Sequence, residues 1–107
     1  MKLEELIALL KTLGIQVAYH HFHKPPDLPF IVILETKPEV YKADNTHYYT
    51  SRTYDVSYYF EKKEPAKELA LENLLLENDI DFDVIEDIYI EKEQMYYKIY
   101  EVKVNGK

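Results

Sequence analysis

The sequence predicts an α+β fold: a mostly antiparallel sheet with two helices, in the order α-β-β-β-β-α-β-β. Three observations predict it. Two stretches carry helical signals, one at the start and one in mid-chain. The stretches around them are rich in β-branched and aromatic residues, and one alternates strictly. The strand-like stretches follow one another in groups, without strict strand–helix–strand alternation, which favours antiparallel pairing over a parallel sheet.

The elements follow in order. Leu3, Leu6, Ile7 and Leu10 recur at i, i+3, i+4 and i+7, and predict a helix over 2–12. Gly14 stands where a left-handed cap would end it. Ile15 to Phe22 reads as a strand, and the prolines at 25, 26 and 29 make the next stretch a loop. Phe30 to Leu34 is wholly apolar and predicts a strand buried on both faces. Pro38 interrupts the chain before a short strand at Val40–Ala43 and an Asp44-Asn45 turn. Residues 48–60 form the longest strand, with Tyr54, Val56, Tyr58 and Phe60 on one face and Thr53, Asp55, Ser57 and Tyr59 on the other. Pro65 opens a second helix to about Glu77. Strands at 82–90, with weak alternation, and at 95–104 complete the set.

The length of 107 residues suits one domain, 1–107. No apolar run approaches the roughly 18 residues of a membrane span. Acidic Glu4 and Glu5 stand where an export signal would be basic, so the expectation is a cytosolic environment. The absence of cysteine excludes disulfides and thiol chemistry. With only Gly14 and Gly106, no glycine-rich phosphate loop can be written. The net charge is −7, with nine acidic residues and no lysine or arginine from Glu68 to Glu91. Arg52 is the only arginine, so tight nucleic-acid binding is not expected.

Candidate chemistry fails on spacing. On a strand His21 and His23 share a face while His20 points away, and His47 is remote, so no metal site is expected. Counted from Asp79, a calcium loop would need glycine at Val84 and glutamate at Ile90. Glu86, Asp87 and Glu91 lie in a charge-rich strand with no sign of the burial that tunes a general acid. Ser51 and Ser57 sit in no nucleophile elbow. The expectation is a non-enzyme without a cofactor.

The eleven tyrosines point elsewhere. Tyr48-Tyr49, Tyr58-Tyr59 and Tyr96-Tyr97 are adjacent pairs on predicted strands, so one ring of each pair points to either face. Outward tyrosines stabilise cross-strand pairs, and several together suit a protein–protein surface. Unpaired strand edges offer a second docking mode.

Five segments carry a resemblance. They are Gly14-Ile15-Gln16-Val17-Ala18-Tyr19 after the first helix and Pro26-Asp27-Leu28-Pro29-Phe30-Ile31-Val32. Ala43-Asp44-Asn45-Thr46-His47-Tyr48-Tyr49 and Glu61-Lys62-Lys63-Glu64-Pro65 follow, and a tyrosine-rich hairpin ends the series. In order and spacing the chain resembles small head–tail joining or tail-completion proteins, tail-terminator-like in fold, of long-tailed phages and Gram-positive prophages. The resemblance implies assembly in the host cytoplasm and residence in the virion, at the head–tail joint. It implies a homo-oligomeric ring, commonly hexameric, between tail-tube and head-completion or connector proteins, with DNA passing through the lumen. An acidic lining from the 68–91 stretch would let DNA slide. Interface candidates are Ala43, Asp44, Asn45, Tyr48, Tyr49, Tyr59 and Tyr96. The alternative is a small acidic phage-encoded regulatory or inhibitor protein that binds a host protein.

Overall fold

The computed structural model describes residues 2–24, 26–36, 39–43 and 47–106; for 39–43, 47–51 and 105–106 it describes the backbone. The order is the expected one: α1 (Leu3–Lys11), β1 (Gln16–Tyr19), β2 (Phe30–Glu35), β3 (Glu39–Ala43), β4 (His47–Phe60), α2 (Pro65–Glu77), β5 (Asp81–Ile90) and β6 (Met95–Gly106).

The strands form one sheet in the order β1-β2-β4-β6-β5, with β3 alongside β4. Each pairing is antiparallel except β1 with β2, which is parallel. β1 is shorter than the predicted strand because His20 takes φ +74 and turns the chain. Its backbone N–H donates to the Ile33 carbonyl at 2.7 Å.

Side-chain alternation fixes where the core sits. Tyr54, Val56, Tyr58 and Phe60 of β4 are all buried. In register with them lie Ile31 and Ile33 of β2, and Tyr96, Tyr100 and Val102 of β6. Leu6 and Leu10 of α1 and Leu71 and Leu75 of α2 enter the same cluster, so both helices cover this one face. Burying each leucine contributes about 1.5–3 kcal/mol. A helix as short as α1 is marginal alone, so this packing, more than propensity, holds it. The expectation that Phe30–Leu34 is buried on both faces is corrected: Ile31 and Ile33 are fully buried, but Leu34 is 38% exposed. Among the described residues, helices cover one side of the sheet only.

The helix ends are built locally. The Glu5 carboxylate accepts the Lys2 backbone N–H at 3.2 Å, and Gly14 takes φ +77 after the last turn of α1. At the end of α2 the Ile80 N–H donates to the Leu75 carbonyl at 2.9 Å and the Asp79 N–H to the Leu76 carbonyl at 3.1 Å. This is a Schellman motif with Asp79, at φ +57, in the left-handed position that glycine usually fills. Ile80 drops into the core beside Leu75.

A bulge in β5 explains its weak alternation. The register shifts between Val84 and Glu86, which leaves Ile85 without a partner on β6. Before it, Phe82 and Val84 lie on the helix side; after it, Asp87 and Tyr89 do.

Candidate assembly surface

The face opposite the helices is organised in rows across the strands. One row runs Phe30–Tyr59–Tyr97–Ile88 over β2, β4, β6 and β5. Phe30 stacks on Tyr59 at 4.9 Å, and Tyr59 lies 5.9 Å from Tyr97. Phe22, from the loop after β1, meets the edge of Phe30 at 5.6 Å. The Tyr97 hydroxyl donates to the Glu86 carboxylate, which holds its ring across the strands. The next row is Val32–Ser57–Ile99–Glu86. Small, buried Ser57 floors a groove between Val32 and Tyr59, walled further by Phe22, Phe30 and Leu34, with His20 and His21 at its rim.

The following row, Leu34–Asp55–Glu101–Asp83, turns acidic. Asp55 and Glu101 stand directly opposite each other, an unfavourable arrangement for like charges. One Asp55 carboxylate oxygen is shut away from water, with no hydrogen-bond partner among the described residues. Burial, and then the charge of Glu101, push the Asp55 pKa above its ordinary value. The open face therefore grades from an aromatic end to an acidic end.

The sequence-predicted interface residues fall in three places. Tyr59 is at the centre of the open face. Tyr96 is on the helix-covered side, stacked on Phe60 at 5.3 Å and beside Tyr89 at 4.8 Å. Tyr59 and Tyr96 thus lie on opposite faces. Ala43 ends β3 opposite His47, and Tyr48 and Tyr49 lie opposite Lys42 and Tyr41. At about 3.3 Å per residue, Tyr49 stands roughly 33 Å along β4 from Tyr59. Asp44 and Asn45 lie outside the described residues. Sequence reading missed Phe22, Phe30, Val32, Tyr97, Ile99 and Ile88 as parts of one surface. The available signal was the alternation of Tyr97 and Ile99 along the last strand.

On the helix side, Glu68, the first residue of the acidic stretch, is turned into the protein. It is 5% exposed. Its carboxylate accepts hydrogen bonds from Lys63 at 3.0 Å and Lys98 at 3.1 Å, both from outside the stretch. Lys63 also reaches Asp87 at 2.9 Å, and Lys98 reaches Glu72 at 3.2 Å. The Tyr100 hydroxyl donates to Glu72 at 2.9 Å. Burial works to lower the Lys98 pKa, but its bonds to Glu68 and Glu72 outweigh burial and the net shift is upward. Burial, and then the bond to Glu72, push the Tyr100 pKa up. These charges tie α2 to β5 and β6. With its lysines held in ion pairs, the cluster is built as a clamp.

The His20 and His21 Nδ1 atoms approach to 3.2 Å and His23 stacks edge-on to His21 at 6.0 Å. Among the described residues no group of three or more histidines and carboxylates is arranged to hold a metal ion.

No protein-family model and no curated protein matches this chain. Among solved structures it is similar to a chain in the virion of a native gene transfer agent particle, at 16% identity and TM-score 0.47, over 92% of this chain and 86% of that chain.

Proposed function

We propose that this protein is a non-enzymatic structural component of a phage or prophage virion. It acts in tail completion or head–tail joining, as one subunit of a ring at the head-proximal end of the tail. The observation that carries the assembly reading is the open face: a row of aromatic and aliphatic side chains crossing four strands, with no layer covering it among the described residues. The sequence resemblance to tail-completion proteins supplies the particular role. In a ring, the exposed acids at the α2–β5 corner, Glu77, Asp79 and Asp81, are available to line a DNA passage that repels phosphate.

The test is genetic. A phage lacking this gene should accumulate filled heads and separate tails in electron micrographs, and the protein supplied in trans should restore joined particles. Joined, infectious particles without the gene would overturn the reading.

A further inference from the structure

We infer that copies of this protein associate head to tail, the β5 end of one sheet docking on the β1 end of the next. The inference rests on the assembly reading and names the surfaces that meet.

The two ends of the sheet are unlike in charge. From Glu68 to Glu91, spanning most of α2 and all of β5, there are nine acidic residues and no lysine or arginine. From Leu6 to Pro26, spanning most of α1, β1 and the loop beyond, there is no acidic residue, while Lys11, Lys24, His20, His21 and His23 are present. β5 and β1 end the strand path β1-β2-β4-β6-β5, with β3 a further outer strand beside β4. Pairing two β5 ends would oppose carboxylates, whereas the β1 end is close to neutral, with Glu4, Glu5, Asp27 and Glu35 beside Lys2, Lys11 and Lys24. The mixed pairing avoids that repulsion and brings Lys11 and Lys24 towards the acids of the β5 end.

The exposed apolar side chains follow the same division. Leu69, Leu76, Val84, Ile85, Ile88 and Tyr89 gather on α2 and β5. Tyr19 and Leu34 lie on β1 and β2, at the other end. Among the described residues ten-residue β5 pairs with β6 alone, and it has no proline or lysine to block its other edge. Its acidic side chains repel a second β5 while leaving the edge open to a neutral or basic strand. An interface between two different surfaces of one chain closes into a ring or runs on as a filament.

Sedimentation velocity on the purified chain tests this, with folding checked by circular dichroism. Wild type should associate as concentration rises towards about 1 mM, and less so at high salt. The β5-end variant Asp83→Lys/Ile85→Lys and the β1-end variant Tyr19→Glu/Lys24→Glu should each stay monomeric alone. An equal mixture should associate again, because each retains one intact end. Either variant associating alone as well as wild type would overturn the inference, as would a mixture that stays monomeric. If a double variant fails to fold, Ile85→Lys and Lys24→Glu take its place. Wild type that remains monomeric throughout also overturns the inference. It leaves the virion reading standing, since that is decided by the joining of heads to tails.

Discussion

The two faces of β4 solve different problems with the same backbone. Towards the helices, Tyr54, Val56, Tyr58 and Phe60 are buried under leucines from α1 and α2. Towards the open side, Tyr59 stacks between Phe30 and Tyr97, and Asp55 is held against Glu101 at a cost to folding. One face holds the fold together. The other carries groups that stabilise the isolated molecule little and suit contact with a partner.

The largest expected effect falls on the covered face. Lys98→Met should cost about 3 kcal/mol, the low end for breaking a buried ion pair, because the buried Glu68 carboxylate keeps only Lys63 as its cation. Urea denaturation measures the loss, and the double variant Glu68→Leu/Lys98→Met should recover most of it. A single substitution then compares the faces directly. Val56→Thr buries a hydroxyl among apolar side chains and should cost about 1–3 kcal/mol. Val32→Thr, on the open side, should change stability by under about 0.5 kcal/mol. Equal losses would show that the open face is packed as tightly as the covered one.

Asp55 sharpens the comparison through pH. Its folded pKa is raised above the ordinary 3.8, so the folded state holds the proton more tightly than the unfolded chain does. The favourable contribution is present when the group is protonated and is lost as pH rises from about 4 through the raised folded value. Asp55→Asn should therefore be the more stable protein at pH 7, with less advantage at pH 4, by urea midpoints at both. The smallest effect is at the end of α2. Asp79→Gly relieves a left-handed conformation and should raise stability by about 0.5 kcal/mol.

The helices were legible because their signals are local: the spacing of Leu3, Leu6, Ile7 and Leu10, and Pro65 at a helix start. The alternation from Thr53 to Phe60 separated the two faces of β4 correctly. Sequence alone could not say that both helices would choose one of those faces, because that choice depends on strand order. This is why Phe30–Leu34 read as buried on both sides. In β5 a single extra residue, Ile85, reverses the alternation and conceals the strand's period. The burial of Glu68 was not legible, because its partners Lys63 and Lys98 come from other elements. Of the assembly surface, Tyr59 was legible as an outward ring. Its companions Phe22 and Phe30 were not, since they meet it only through the β2–β4 register and the turn at His20.

The place of β6 bears on how the protein is made. It follows every other strand in the chain, yet it lies between β4 and β5. A nascent chain can pair β2 with β4 as soon as Phe60 has emerged from the ribosome. The inner edge of β4 and all of β5 must then wait for residues 95–106. Until translation reaches them, the chain presents two unsatisfied edges and a core that lacks Tyr100, Val102 and Val104, a state prone to non-native pairing and to proteases. Folding of this protein is thus gated by synthesis of a strand that sits in its middle, and a chain interrupted before Met95 lacks the centre of its own sheet.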